Sequence, residues 1–246
     1  MINVSNHTRI TMKNVILAST STLTGESYLE YLIPVIEPLF QKSKEIIFIP
    51  YARPGGLTHE EYTNKVREVF DNLKLNIKGI HEFSKPVEAM KTAEAIFTGG
   101  GNTFLLVEKL YRCNLVNLIK EKVAIGIPYL GTSAGTNIAG LTMQTTNDMP
   151  IIYPPTFQTL GIVPFNINPH YQDPDPASLH MGETRETRIK EFHTLNTQPV
   201  VGLREGSWLE YFGEQIILKG GLPARIFKAG KDPEEVDSNT NLSDLN

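Results

Sequence analysis

Short apolar runs, three of which lead into small or glycine-rich residues, recur through the first half of this 246-residue chain and constrain its architecture more than any other feature. They fall at 14–20 (NVILAST), 45–50 (EIIFIP), 76–83, 95–98 (AIFT) and 128–131 (PYLG). Apolar runs this short, bounded by turn residues, read as strands buried on both faces. Helical patterns alternate with them. Residues 28–40 are apolar, with Pro34 and Pro38 expected to kink or divide the helix. Residues 59–73 place Tyr62, Val66, Val69, Phe70 and Leu73 on one side. A helix opens at Asn102 and runs through Leu105, Leu106 and Leu110 to Ile119, and a small-residue helix follows Ser133. Strand–helix alternation predicts an α/β fold with a mostly parallel sheet and helices on both faces. Such sheets bind ligands at the carboxyl ends of their strands. The glycine-rich turns at 99–101 and 131–135 both follow strands, so both belong at that rim.

The second half is patterned differently. Residues 150–182 are rich in Pro, Asn, Asp and His and read as long functional loops. A helix is expected over 183–195, then short strands at 199–203, 207–212, 215–218 and 224–228, with a turn at 213–214. Residues 1–12 read as an extension, and the polar tail 231–246 as disordered and outside the core, which leaves one α/β domain over 1–246. A net charge of −4 and a pI near 5.9 give no footprint for nucleic acid. Cys113 is the only cysteine, so no intrachain disulfide can form. The N-terminus lacks the apolar segment of a signal peptide, and no run of about 18 apolar residues suits a membrane, so the cytoplasm is the expected compartment. No HExxH or Cys/His ligand set is present, and neither metal nor cofactor is expected. The sheet can consume the apolar helix faces, so the pattern fixes no oligomeric state.

Gly131-Thr132-Ser133-Ala134-Gly135 fits G-x-S-x-G. Between a strand and a helix, this spacing makes a sharp turn that exposes the serine oxygen, with flanking glycines relieving the crowding. The N–H of the next residue, Ala134, can face a developing oxyanion, and the glycine turn ending at Gly101 can supply a second donor. A phosphate-binding role for that turn lacks the Lys and Ser/Thr of a P-loop. A serine nucleophile needs a base. Of the six histidines, His7, His59, His81, His170, His180 and His193, only His170 follows a strand into a proline-fixed loop (NINPHY). An imidazole in turn wants a carboxylate. Asp148 in TTNDMP and Glu205 in LREGSW are both suitable, and each has an ordinary alternative: Asp148 as a turn cap, Glu205 as a partner of Arg204.

The stretches GGGNTF (99–104), PYLGTSAGTN (128–137), TTNDMPI (145–151), INPHY (167–171), GETRETRI (182–189) and GLREGSWL (202–209) together resemble the peptidase E family of α-aspartyl dipeptidases, which also holds cyanophycinase. The resemblance runs in order over roughly 13–230. It implies a flavodoxin-like fold related to class I glutamine amidotransferase domains, with an added C-terminal strand region. It also implies hydrolysis of small peptides of the form Asp-Xaa. Position by position it implies Ser133 as nucleophile, His170 as base, Asp148 or Glu205 as the acid, and Gly101 and Ala134 as the oxyanion hole. Asn102 and Arg185 are implied to bind substrate, Arg185 holding the aspartate side chain. Thr132 departs from the bulky Trp that some members carry before the nucleophile. A cyanophycinase-like activity on β-aspartyl-arginine peptides is the alternative enzyme, and GGGNT rather than a GGDQ-type turn argues against it. A lipase or esterase would need an HGGG motif. A non-catalytic binding domain would not need the serine, histidine and acid together.

Overall fold

A computed structural model describes residues 12–174 and 182–246; His7 and His180 lie outside the described residues. The five early apolar runs form β1 (Lys13–Ala18), β2 (Ile46–Ile49), β3 (Ile77–Gly79), β4 (Ile96–Thr98) and β5 (Tyr129–Thr132). They pair in parallel in the order β3-β2-β4-β5-β1. Two antiparallel strands, β8 (Ser207–Gly213) and β9 (Gln215–Gly220), extend the sheet beyond β1 to seven strands. A second sheet of four strands has the order β11 (Glu234–Val236), β10 (Ala224–Phe227), β7 (Val200–Leu203), β6 (Asn166–Pro169).

Alternation along the strands builds a core on each face of the large sheet. Val15, Leu17, Ile47, Ile49 and Ile96 point to one side, while Ile16, Ala18, Ile46, Phe48 and Phe97 point to the other. The first of these cores is continuous with Ile167, Val201 and Leu203 of the small sheet. The two sheets therefore share apolar burial.

Several elements differ from the sequence reading, each for a local reason. The helix expected from 102 to 119 is two, α4 (Thr103–Arg112) and α5 (Val116–Ala124), because Asn114 takes a left-handed turn with φ 56. Of the expected strand 76–83, only β3 pairs, and Ile80–Glu82 coil into a 3₁₀ turn. Between β3 and β4, Pro86 opens an unanticipated helix, α3 (Pro86–Thr92), in which Ala89 and Met90 are buried. The 28–40 helix is confined to α1 (Ile33–Phe40), where Pro34 sits in the first turn and Pro38 inside. Helix α2 (His59–Asn72) matches its pattern and begins with a Thr58–Glu61 capping box.

The largest correction concerns the tail. Residues 231–246, expected to be disordered and outside the core, carry β11 and return along β9, with Leu218 N–H donating to Thr240 (3.0 Å) and Leu242 N–H to Ile216 (2.7 Å). Leu242 and Leu245 join the main core. Two leucines three residues apart bury enough apolar surface to order a segment whose composition is otherwise polar. Charge reinforces this docking. Arg204 grips both oxygens of Asp173 (2.8 and 2.9 Å) and both oxygens of Glu235 (2.9 and 3.0 Å). Arg225 bridges Glu235 (2.9 Å) and Glu186 (3.1 Å).

These pairs make stability pH-dependent. Hydrogen bonds from Arg204 hold the Asp173 and Glu235 carboxyls below their usual range. Carboxylates with depressed folded values contribute stability that is fully present above their unfolded values, near 4, and is lost as the pH falls through the folded ones. Both are partly exposed, so solvent screening keeps the contribution modest. Urea midpoints are expected to fall as the pH is lowered from about 4.5 to 3, with a shallower slope in Arg204→Met. At neutral pH, Leu242→Ala should cost about 2–4 kcal/mol in the same assay.

Candidate active site

Ser133 stands between β5 and α6 (Ala134–Asn137) with φ 52 and ψ −110. A non-glycine residue held there costs on the order of 1–3 kcal/mol and needs surroundings that impose it. They are present. Ser133 N–H donates to the Ala18 carbonyl (3.1 Å), and the Thr136 hydroxyl reaches both Ala18 (2.6 Å) and Gly131 (2.8 Å). Tyr129 donates its hydroxyl to the Gly135 carbonyl (2.8 Å). The strand and helix approach so closely that a Cβ on Gly131 would lie 2.5 Å from the Gly135 oxygen, and one on Gly135 would strike the Thr98 carbonyl.

His170 follows β6 and is also left-handed, with φ 54. Its N–H donates to Ser19 Oγ (2.8 Å), whose hydroxyl donates onward to the Leu203 carbonyl (2.7 Å). That brace directs the imidazole across to the elbow. His170 Nε2 lies 2.9 Å from Ser133 Oγ, and Nδ1 lies 2.6 Å from Glu205 Oε1. Glu205 sits in the turn between β7 and β8, and Arg204 beside it is occupied by Asp173 and Glu235. Hydroxyl, imidazole and carboxylate in series can activate an oxygen nucleophile and hold the resulting imidazolium.

The glycine turn 99–101 forms the opposite wall. Gly100 lies so close that a Cβ there would be 2.9 Å from Ser133 Cβ. Its N–H donates to the Tyr62 hydroxyl (3.0 Å). Gly101 has φ 143 and packs on the Ala52 carbonyl, where no side chain fits; that carbonyl accepts from Asn102 N–H (2.7 Å). Among the described residues, neither Gly101 N–H nor Ala134 N–H donates to another group.

Asp148 and Glu205 have separate surroundings. Asp148 accepts from Thr103 N–H (2.7 Å) and from the Thr146 hydroxyl (2.9 Å), which makes it a cap on α4; His170 is met by Glu205 instead. The loop that carries Asp148 is tied to β6 through Asn147, which donates to Pro169 (2.7 Å) and accepts from Asn168 (2.8 Å). Asn102, a substrate-binding candidate, has its amide committed: Oδ1 caps Leu105 N–H (3.1 Å) and Nδ2 donates to Met149 (2.8 Å). Arg185 opens α7 (Arg185–Phe192) behind the Thr184 cap. Burial pushes its guanidinium below the usual range and Arg188 adds to this, while Asp148 acts in the opposite direction.

His59 and His81 pack against each other with tilted rings, 5.6 Å between centroids, and His193 is held by the Gln198 carbonyl at 2.9 Å. Glu60, His81 and Glu82 form the one cluster among the described residues with metal-ligand spacing. It lies at the β3 edge of the sheet, and Arg67 already neutralises Glu82 at 2.9 Å. Ser19 and Tyr62 had no motif to announce them. The only signal for Ser19 is its place at the carboxyl end of the first apolar run.

A serine on a strained strand-to-helix turn, in series with imidazole and carboxylate at the rim of a mostly parallel sheet, defines a hydrolytic α/β enzyme. More particularly, the chain belongs to peptidase family S51, whose sequence model matches residues 15–219. It is 45% identical to the peptidase E of Streptomyces coelicolor over 232 residues, 94% of each chain. It is likewise 45% identical over 227 residues to a Drosophila melanogaster protein named "Probable alpha-aspartyl dipeptidase", covering 91% of this chain and 93% of that one. Among solved structures, a peptidase from an acI-B1 actinobacterium shares the fold with a TM-score of 0.69 at 19% identity, over 94% of this chain and 97% of that one.

The two acids should separate cleanly in kinetics. Glu205→Gln keeps the shape but removes the charge facing His170, and kcat is expected to fall by about 10² to 10⁴. Asp148→Asn weakens a helix cap instead and should change kcat by less than about tenfold, with a loss of roughly 1 kcal/mol in urea unfolding.

Proposed function

We propose that this chain is a serine dipeptidase that releases N-terminal aspartate from Asp-Xaa. The observation that carries the reading is the continuous path from Ser133 Oγ to His170 Nε2 (2.9 Å) and from His170 Nδ1 to Glu205 (2.6 Å). In this reading His170 takes the Ser133 proton as Oγ attacks the scissile carbonyl. The N–H groups of Gly101 and Ala134 receive the oxyanion. His170 then protonates the leaving amine, and Glu205 stabilises the imidazolium while it lasts. Water, deprotonated by the same imidazole, cleaves the aspartyl ester and restores the hydroxyl. Gly101 and Ala134 suit their part because their N–H groups have no acceptor among the described residues.

Arg185 supplies the preference for aspartate. A guanidinium can hold a carboxylate through two parallel hydrogen bonds, a geometry that a neutral side chain does not reproduce. Among the described residues Arg185 has no carboxylate within ion-pair distance, whereas Arg188 on the same helix faces Glu183 at 3.7 Å. The Streptomyces and Drosophila relatives carry names that agree with this activity. The reading places the enzyme in the cytoplasm, in keeping with its lone cysteine.

Hydrolysis of Asp-Leu and Asp-p-nitroanilide, set against Glu, Asn and Ala analogues, tests the proposal. Selective cleavage of the aspartyl substrates is expected, with a loss on the order of 10⁴ or more in Ser133→Ala. Absence of cleavage by folded protein would overturn it. Arg185→Ala should raise KM for Asp-Leu by about tenfold or more, as befits a lost charge-assisted pair, and leave Ala-Leu little changed. Equal effects on both would remove Arg185 from the pocket.

A further inference from the structure

Among the described arginines, Arg67, Arg112, Arg188, Arg204 and Arg225 each face a carboxylate within 4 Å. Arg185 and Arg53 face none among the described residues. Arg185 is assigned above to the aspartate side chain. Arg53 has no part in that chemistry, yet it stands beside it.

Arg53 follows Ala52, whose carbonyl packs on Gly101 and accepts from Asn102 N–H at 2.7 Å. Its guanidinium carbon lies 4.7 Å over the ring centre of Tyr62. The hydroxyl of the same ring accepts from Gly100 N–H (3.0 Å), and Gly100 touches Ser133. Arg53 is thus one residue and one aromatic ring from the oxyanion turn. Tyr62 is fully buried and meets Phe48 edge-on at 5.0 Å, so the platform is rigid. This cation–π contact restrains the guanidinium and reduces the freedom that binding would have to remove. Its Nε–H is shut away from solvent with no acceptor among the described residues, which leaves the terminal nitrogens as the donors available to a ligand. Lys65, over Tyr28 at 4.9 Å, adds a second positive charge to this wall.

Arg53 and Arg185 are linked to the glycine turn through different neighbours. Arg53 lies against Tyr62, which belongs to one core of the sheet. Arg185 lies toward Asp148, the cap of α4, whose Leu106 and Val107 belong to the other core. A dipeptide with an N-terminal aspartate carries two carboxylates on either side of its scissile carbonyl. The second, at the C-terminus, lies only one residue beyond the cleaved bond, about 3.5 Å of extended chain. We propose that Arg53, held over Tyr62 beside the oxyanion turn, binds the C-terminal carboxylate of the dipeptide and so restricts the enzyme to substrates that end one residue after the cleaved bond. The inference rests on the dipeptidase reading above and adds the group that measures substrate length.

The test compares Asp-Leu with Asp-Leu-amide, which has the same scissile bond and no terminal charge, by following release of Leu or Leu-amide. In the wild type, kcat/KM is expected to favour the free acid by about 10- to 100-fold, the worth of one charge-assisted pair. In Arg53→Gln that ratio should collapse toward one, chiefly through KM for the acid, with Arg53→Lys intermediate. Labelling of Ser133 by a fluorophosphonate probe checks that each variant keeps a formed site. A wild-type ratio near one, or an Arg53→Gln variant that slows acid and amide equally, would overturn the assignment and reduce Arg53 to a cover for Tyr62. If the wild type cleaves neither compound nor Asp-p-nitroanilide, the dipeptidase reading fails, and the inference fails with it.

Discussion

The close approach of α6 to the β5 strand is the contact on which the rest of the site depends. Gly135 rests against the Thr98 carbonyl and Gly131 against Gly135, with no room for a side chain at either position. Only at that separation can Thr136 tie itself to Ala18 and Gly131 together and hold Ser133 in its unfavourable backbone conformation. The same contact puts Ser133 at the end of β5, leaves Ala134 N–H without an acceptor among the described residues, and brings Gly100 against the serine. The exposed serine, the acceptor-free N–H of Ala134 and the wall that carries Tyr62 and Arg53 all follow from one steric fit.

His170 reaches the elbow by a different route. His170 and Glu205 belong to the small sheet and to its crossing into β8, and Ser19 at the end of β1 joins them to the large sheet. His170, like Ser133, has a left-handed backbone, so both ends of the Ser–His hydrogen bond carry local strain that the surrounding packing absorbs. Shared apolar burial between the sheets, through Ile167, Val201 and Leu203, keeps those two strained residues at hydrogen-bond distance.

Much of this was legible in the chain. Doubly buried strands write themselves as apolar runs, and the glycines around Ser133 and at 99–101 are where backbones must touch. The histidine in NINPHY stood out because a proline fixes the turn before it. What could not be read has a physical explanation in each case. Asp148 and Glu205 both sit in polar turns near the rim, and only three-dimensional packing decides which one meets an imidazole. Asn102 looks like a ligand-facing amide but is consumed as a helix cap. The strand ending at Gly79 and the break at Asn114 are local terminations set by a single turn, which periodicity does not mark. The tail reads as disordered because its buried leucines, Leu242 and Leu245, are few, and mean composition hides a pair of residues that bury well.

The division of the Ser133–His170–Glu205 series between two sheets ties its geometry to their assembly. A displacement of about 1 Å between reacting groups can cost 10²-fold in rate, far more than it costs in packing energy. The small sheet, held by the Arg204 clamp and the returning tail, therefore behaves as the adjustable jaw of a calliper whose fixed jaw is the elbow. Chemistry is possible only at one setting. Under the proposed chemistry, slight loosening of that jaw would silence turnover while leaving the chain folded, so turnover would report the seating of the two sheets more sensitively than any measure of global unfolding.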